Sequence, residues 1–150
     1  MKVDYFTIPE ITVSYKDNVK TSERAVVSSS QDIAKIMAVA FEDCMEHHEE
    51  VCVLYLNRSN RVLGIQNVSK GGIHDVSVDI RIILQTALKV HSTSIALSHC
   101  HPSGSSKPSR QDISLTKQIQ AGCKAIGIGL LDHVVITSES YCSFAEEGLL

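Results

Sequence analysis

Two spacings of apolar residues alternate along the chain. Ile33, Ile36, Met37, Ala40, Phe41, Cys44 and Met45 follow the i, i+3, i+4, i+7 rhythm that winds into one stripe on an amphipathic helix. Ser29, with Asp32 three residues on, supplies the N-terminal cap, so the Met and Phe of this stripe read as core. The segments "EEVCVLYLN" and "RVLGIQNV" are β-branched and apolar, and "NRSN" between them predicts a hairpin. Ile80, Ile83, Leu84, Ala87 and Leu88 in "VDIRIILQTALKV" repeat the helical stripe. "TSIALSH" (Thr93 to His99) suits a buried strand, and "SRQDISLTKQIQAGCKAIG" a third helix closed by Gly127. "DHVVIT" and "YCSFA" add late strands, "ITVSY" (Ile11 to Tyr15) alternates as a short early one, and "KDNVKTSER" and "SKGGIHD" read as loops. The order β-α-β-β-α-β-α-β-β predicts an α/β fold, a mixed β-sheet with flanking helices.

Composition bounds this picture. A length of 150 residues suits one compact domain over 1–150, with 1–29 an N-terminal extension holding the early strand. No apolar run reaches the roughly 20 residues of a membrane span, and "MKVDYFTIPE" lacks the apolar segment of a signal peptide. The expectation is a cytoplasmic chain with no membrane contact. A net charge of -3, aromatic residues at 5% and scattered Lys and Arg argue against DNA binding as the main activity. Five cysteines without a CxxC pair read as reduced thiols, with Cys44, Cys52 and Cys123 in the core.

Candidate chemistry concentrates in "LSHCHPSGSSKPSRQD", Leu97 to Asp112. It can be read as a metal site, a cysteine site, or only a strand, a turn and a helix cap. Side chains alternate along a strand, so His99 and His101 leave one face and Cys100 the other, which disfavours a cysteine nucleophile. Asp112, at the start of the third helix, can return a carboxylate to the same point. Two imidazoles and a carboxylate suit zinc, with water in the fourth position. The plainer reading makes Ser109 and Asp112 a capping box and Pro102, Gly104 and Pro108 turn formers. Other catalytic signatures are absent: position four after His48 is Cys52, so "HHEEV" is not HExxH, and no deaminase, P-loop or GxSxG pattern occurs. His47, His48, His74 and His91 read as exposed or incidental, and Asp132-His133 as a buried supporting pair.

The string H-x-H, seven residues, S-x-x-D resembles the JAMM (MPN+) metallo-hydrolase signature. "HPSG", "KPSRQDISLTKQI", "LLDHVVIT" and "YCSFAEEGLL", with "LYLNRSNRVLG", "SKGG" and "VDIRIILQTAL", resemble the RadC family more closely, from about Ile33 to Leu150. The resemblance implies a JAMM/MPN, cytidine deaminase-like architecture and one zinc ion on His99, His101 and Asp112. It also implies a general base just before the "VLYLN" strand, which falls on Glu49 with Glu50 as the neighbouring alternative. Ser109 takes the place of the family serine that orients water or the tetrahedral intermediate. The implied activity is hydrolysis of a peptide or isopeptide-linked substrate by zinc-activated water. The alternatives are a RadC-type DNA repair or DNA-processing factor and a non-catalytic binding module. The chain departs from the family in Cys100 where asparagine is usual and in Ile80 where proline precedes Arg81, and the family's N-terminal helix-hairpin-helix region is expected to be absent.

Overall fold

The computed structural model describes residues 8–71 and 77–150. It is a mixed α/β fold in which α1 (Ser30–Ala40), β1 (Glu50–Leu56), β2 (Val62–Lys70), α2 (Ile80–Lys89), β3 (Ser94–Cys100), α3 (Arg110–Ala125), β4 (Gly129–Ile136) and β5 (Tyr141–Ser143) follow in that order. The five strands form one sheet in the order β2-β1-β3-β4-β5, in which only the β3–β4 pairing is parallel. The JAMM/MPN architecture expected above is consistent with this arrangement.

Both central strands are buried along their whole length, and their alternation divides the core in two. Cys52, Leu54, Leu56, Ala96 and Cys100 face α1, where Ile33, Met37 and Phe41 pack on them. Val51, Val53, Tyr55, Ile95 and Leu97 face α2 and α3, meeting Ile83, Ala87, Ile119 and Cys123. Ser29 accepts the Asp32 N–H and Asp32 accepts the Ser29 N–H, so the expected capping box starts α1. Helix α1 stops at Ala40, earlier than its stripe, because Phe41 to His47 continue as turns; Phe41 and Cys44 stay buried there. Gly127 closes α3 with φ +73°, a left-handed turn that glycine adopts without strain.

The early strand is a correction. Ile11 to Tyr15 takes no strand partner, and Ile11 and Val13 are 86% and 73% exposed. Alternation makes a strand only where one face is buried against something, and here neither is. Val26 instead makes a single antiparallel bridge to Arg61, and Val27 enters the core. The loop segment Gly72 to Asp75, with His74, lies outside the described residues.

Buried Asp132 ties β4 to the segment after it by accepting from Ser143 Oγ (2.6 Å) and from the backbone N–H groups of His133 (2.8 Å) and Ala145 (3.0 Å). Asp132→Asn puts an amide donor among these three donors. Urea unfolding should show a loss of about 1–3 kcal/mol, the cost of buried polar groups left without partners.

Candidate metal centre

Strand pairing assembles the centre. The antiparallel register sets Val51 opposite His99, so two steps back along β1 and two forward along β3 bring Glu49 towards His101. The third element is the N-terminus of α3, where Ser109 Oγ accepts the Asp112 N–H (3.1 Å) and Asp112 Oδ2 accepts the Ser109 N–H (2.7 Å). The capping box is therefore real, and it also aims the Asp112 carboxylate at the histidines. His99 Nε2 stands 2.8 Å from His101 Nε2 and 3.3 Å from Asp112 Oδ1, and His101 Nε2 lies 3.5 Å from Asp112 Oδ2.

The hydrogen-bond network decides where the imidazole protons sit. The Asp112 carbonyl can only accept, so the Thr116 hydroxyl donates to it (2.6 Å). Thr116 Oγ1 then accepts from His133 Nδ1–H (2.6 Å), which leaves His133 Nε2 to accept from His99 Nδ1–H (2.7 Å). His101 Nδ1–H donates to the Ser105 carbonyl (2.8 Å). Both Nε2 atoms are thus bare lone pairs, turned towards each other and towards a carboxylate. Three acceptors with no donor between them need a cation or an added proton.

The donors fit a small divalent ion. Ligands bound at about 2.0–2.1 Å on a tetrahedral zinc stand about 3.3–3.4 Å apart. The His99–Asp112 Oδ1 separation already matches, His101 stands 3.5 Å from the other carboxylate oxygen, and the imidazole pair need open by only about 0.5 Å. Each of these two imidazoles has its other ring nitrogen held by a partner, as ligating histidines generally do.

Charge agrees with this geometry. Burial opposes ionisation of Asp112, but when the imidazoles carry an added proton, hydrogen bonds from His101 and His99 outweigh it and hold the carboxyl well below the usual carboxylate range. Burial likewise disfavours protonated His101, yet Asp112, the Ser105 carbonyl and Glu49 together raise its proton affinity. His133 is fully buried, and burial, followed by the charge of neighbouring His99, holds it neutral well below the ordinary imidazole value.

Glu49 and Glu50 part across the strand. Glu49 lines the same cavity as His99, His101, Ser109 and Asp112, with Oε1 4.0 Å from His101 Nε2. Glu50 turns to the opposite face, where His48 Nε2 meets its Oε1 at 2.7 Å and Asn67 holds the other oxygen. The cavity, about 470 Å³, is walled by Val78 and Leu115 and edged by Lys107. Exposed Ser109 uses one lone pair as helix cap and keeps its hydroxyl proton free to donate. Asp132 and His133 are both buried, as expected; His133 supports His99, whereas Asp132 serves β5. Thr116 was missed, because its part depends on one helix face packing against β4.

Residues 27–149 match the RadC-like JAB domain family. The chain is 43% identical over 103 residues to a UPF0758 protein of Porphyromonas gingivalis, an alignment covering 68% of this chain and 45% of that one. It is 38% identical over 123 residues to a UPF0758 protein of Flavobacterium johnsoniae, covering 82% and 53%. A UPF0758 protein of Syntrophomonas wolfei is 36% identical over 129 residues, covering 85% and 55%. The chain spans about half the length of these curated relatives. Among the described residues, no helix is long and apolar enough to cross a membrane.

Proposed function

The chain belongs to the RadC-like JAB domain family, and from that premise we propose that it is a zinc-dependent hydrolase of amide or isopeptide bonds in peptide or protein substrates. The observation that carries this reading is the convergence of two bare imidazole nitrogens and a carboxylate beside a further carboxylate, Glu49. Zinc held by His99 Nε2, His101 Nε2 and Asp112 would supply a Lewis acid that polarises a carbonyl and lowers the pKa of water towards about 7.

The remaining steps belong to the protein. Glu49 takes a proton from the attacking water as the new carbon–oxygen bond forms. The Ser109 hydroxyl donates to the oxygen on which negative charge develops, a contribution of a few kcal/mol when the donor is already aimed. Glu49 then returns its proton to the departing nitrogen, and the carbon–nitrogen bond breaks. The chain from His99 through His133 to Thr116 keeps the His99 lone pair on Nε2. Thr116→Val removes the oxygen that accepts from His133, one bond further from His99, and zinc affinity should fall by up to about the 10- to 100-fold of a partner bonded directly to a ligand. Competition with a chromophoric chelator measures it.

The zinc-loaded protein should be profiled against peptide, isopeptide-linked and nucleic-acid libraries, with His99→Ala as control. Cleavage of an amide-bond library that disappears in the control is the expected result. Cleavage confined to nucleic acid would favour the DNA-processing reading. Stoichiometric zinc without cleavage of any library would favour a binding module.

A further inference from the structure

Behind the histidine pair, on the sheet face that packs against α1, a second set of metal-binding side chains converges. Cys44, His48 and Glu50 each place one ligand atom within 4.8 Å of the others, and His48 Nε2 meets Glu50 Oε1 at 2.7 Å. We propose that these three residues, with Cys100 as the fourth donor, bind a second, thiophilic divalent ion of the zinc class in a structural site. This site is separate from the His99–His101–Asp112 centre and shares no ligand with it.

Local structure brings the three together and sets Cys100 beside Cys44. The His48 N–H donates to the Cys44 carbonyl (3.2 Å), one helical turn that stacks the two side chains at i and i+4. Glu50 opens β1 on the inward face, and Cys100 ends β3 on that same face, opposite to the side His99 uses. Cys44 Sγ and Cys100 Sγ are 3.7 Å apart. Two thiolates at about 2.3 Å on one tetrahedral zinc stand about 3.8 Å apart, so this sulfur pair already has the spacing of a coordination edge. The Glu50 N–H points at Cys100 Sγ (3.4 Å), the kind of backbone donor that supports a metal-bound thiolate.

Burial gives the second reason. Glu50 is only 8% exposed, and its hydrogen-bonding partners are His48 and the Asn67 amide. A buried carboxylate is stable when paired with or coordinated to a cation. His48, whose side chain is 34% exposed, is the route by which an ion reaches the cluster from solvent. On binding, each ligating thiol forms a sulfur–metal bond as its proton leaves to solvent. The proton on His48 Nε2 gives way to the metal, and the neutral ring carries its remaining proton on Nδ1. Four protein donors with no open position make a structural site. Its mechanical consequence is direct: Cys100 lies between His99 and His101, so an ion here pins the strand that carries both histidines.

Cobalt titration of the full chain, with the thiols kept reduced by a phosphine, separates the two centres. Of the two centres found among the described residues, only this cluster offers sulfur, so of the two it alone gives a sulfur-to-cobalt charge-transfer band in the near ultraviolet. The expected result is such a band saturating at one equivalent of its own, lost in Cys44→Ser and in Cys100→Ser, and retained in His99→Ala. His48→Ala changes a half-exposed position and should weaken cobalt binding at this band by tenfold or more. That variant carries the test should circular dichroism show that a serine variant does not fold. No sulfur band in the wild type, or a band that survives these substitutions, overturns the proposal.

Discussion

Glu49→Gln is expected to lower amide hydrolysis by roughly 10²- to 10⁴-fold, the range that a positioned general acid–base group supplies, while zinc content stays that of the wild type. The two halves of this result have different physical origins. Glu49 Oε1 is 4.0 Å from His101 Nε2, farther than either Asp112 oxygen stands from the histidine it meets, so its removal leaves the three converging donors in place. Glutamine keeps the size and hydrogen-bonding shape of the side chain but cannot accept and return a proton near neutral pH. Single-turnover cleavage and elemental analysis on the same preparation read the two halves together. Retained hydrolysis would remove Glu49 from the reaction, and lost zinc would make it a ligand.

What the sequence disclosed follows the range of the forces involved. The helices and the hairpin are local: a stripe, a capping box at Ser29 or Ser109 and a polar turn each specify themselves within about ten residues. The histidine pair was legible for the same reason, since strand alternation alone sends His99 and His101 one way and Cys100 the other. "ITVSY" has a good local pattern too, but a strand also needs an edge and a buried face, and neither is encoded within five residues. Glu49 depended on the pairing of β1 with β3, a contact between segments about fifty residues apart, and only the family resemblance pointed to it. The neighbours Glu49 and Glu50 show how sharp that dependence is, because one step of register exchanges the cavity for the opposite face. The Thr116–His133–His99 chain and the Cys44–His48–Glu50 cluster lie beyond local reading, each crossing from a helix or turn to the sheet.

Asp112→Asn should separate the two roles that the capping box left entangled. A carboxylate ligand lost from the centre should lower zinc affinity by more than the 10- to 100-fold of an outer partner, and hydrolysis should fall with it. The metal-free protein should respond differently. Two bare imidazole nitrogens and a carboxylate oppose one another in it, and an asparagine amide can donate to one of those nitrogens. Against this gain stands a weakened capping box, since the neutral side chain loses its favourable interaction with the positive end of α3, about 0.3–1 kcal/mol. The two effects offset, so urea unfolding in a chelator should move by less than about 1 kcal/mol in either direction. Zinc affinity is best measured on a Cys44→Ser background, where the cluster across the sheet is silent. A residue that served only as a helix cap would give the reverse result: stability would fall, zinc binding would be unchanged, and the His99–His101–Asp112 centre would lose its third ligand as an explanation.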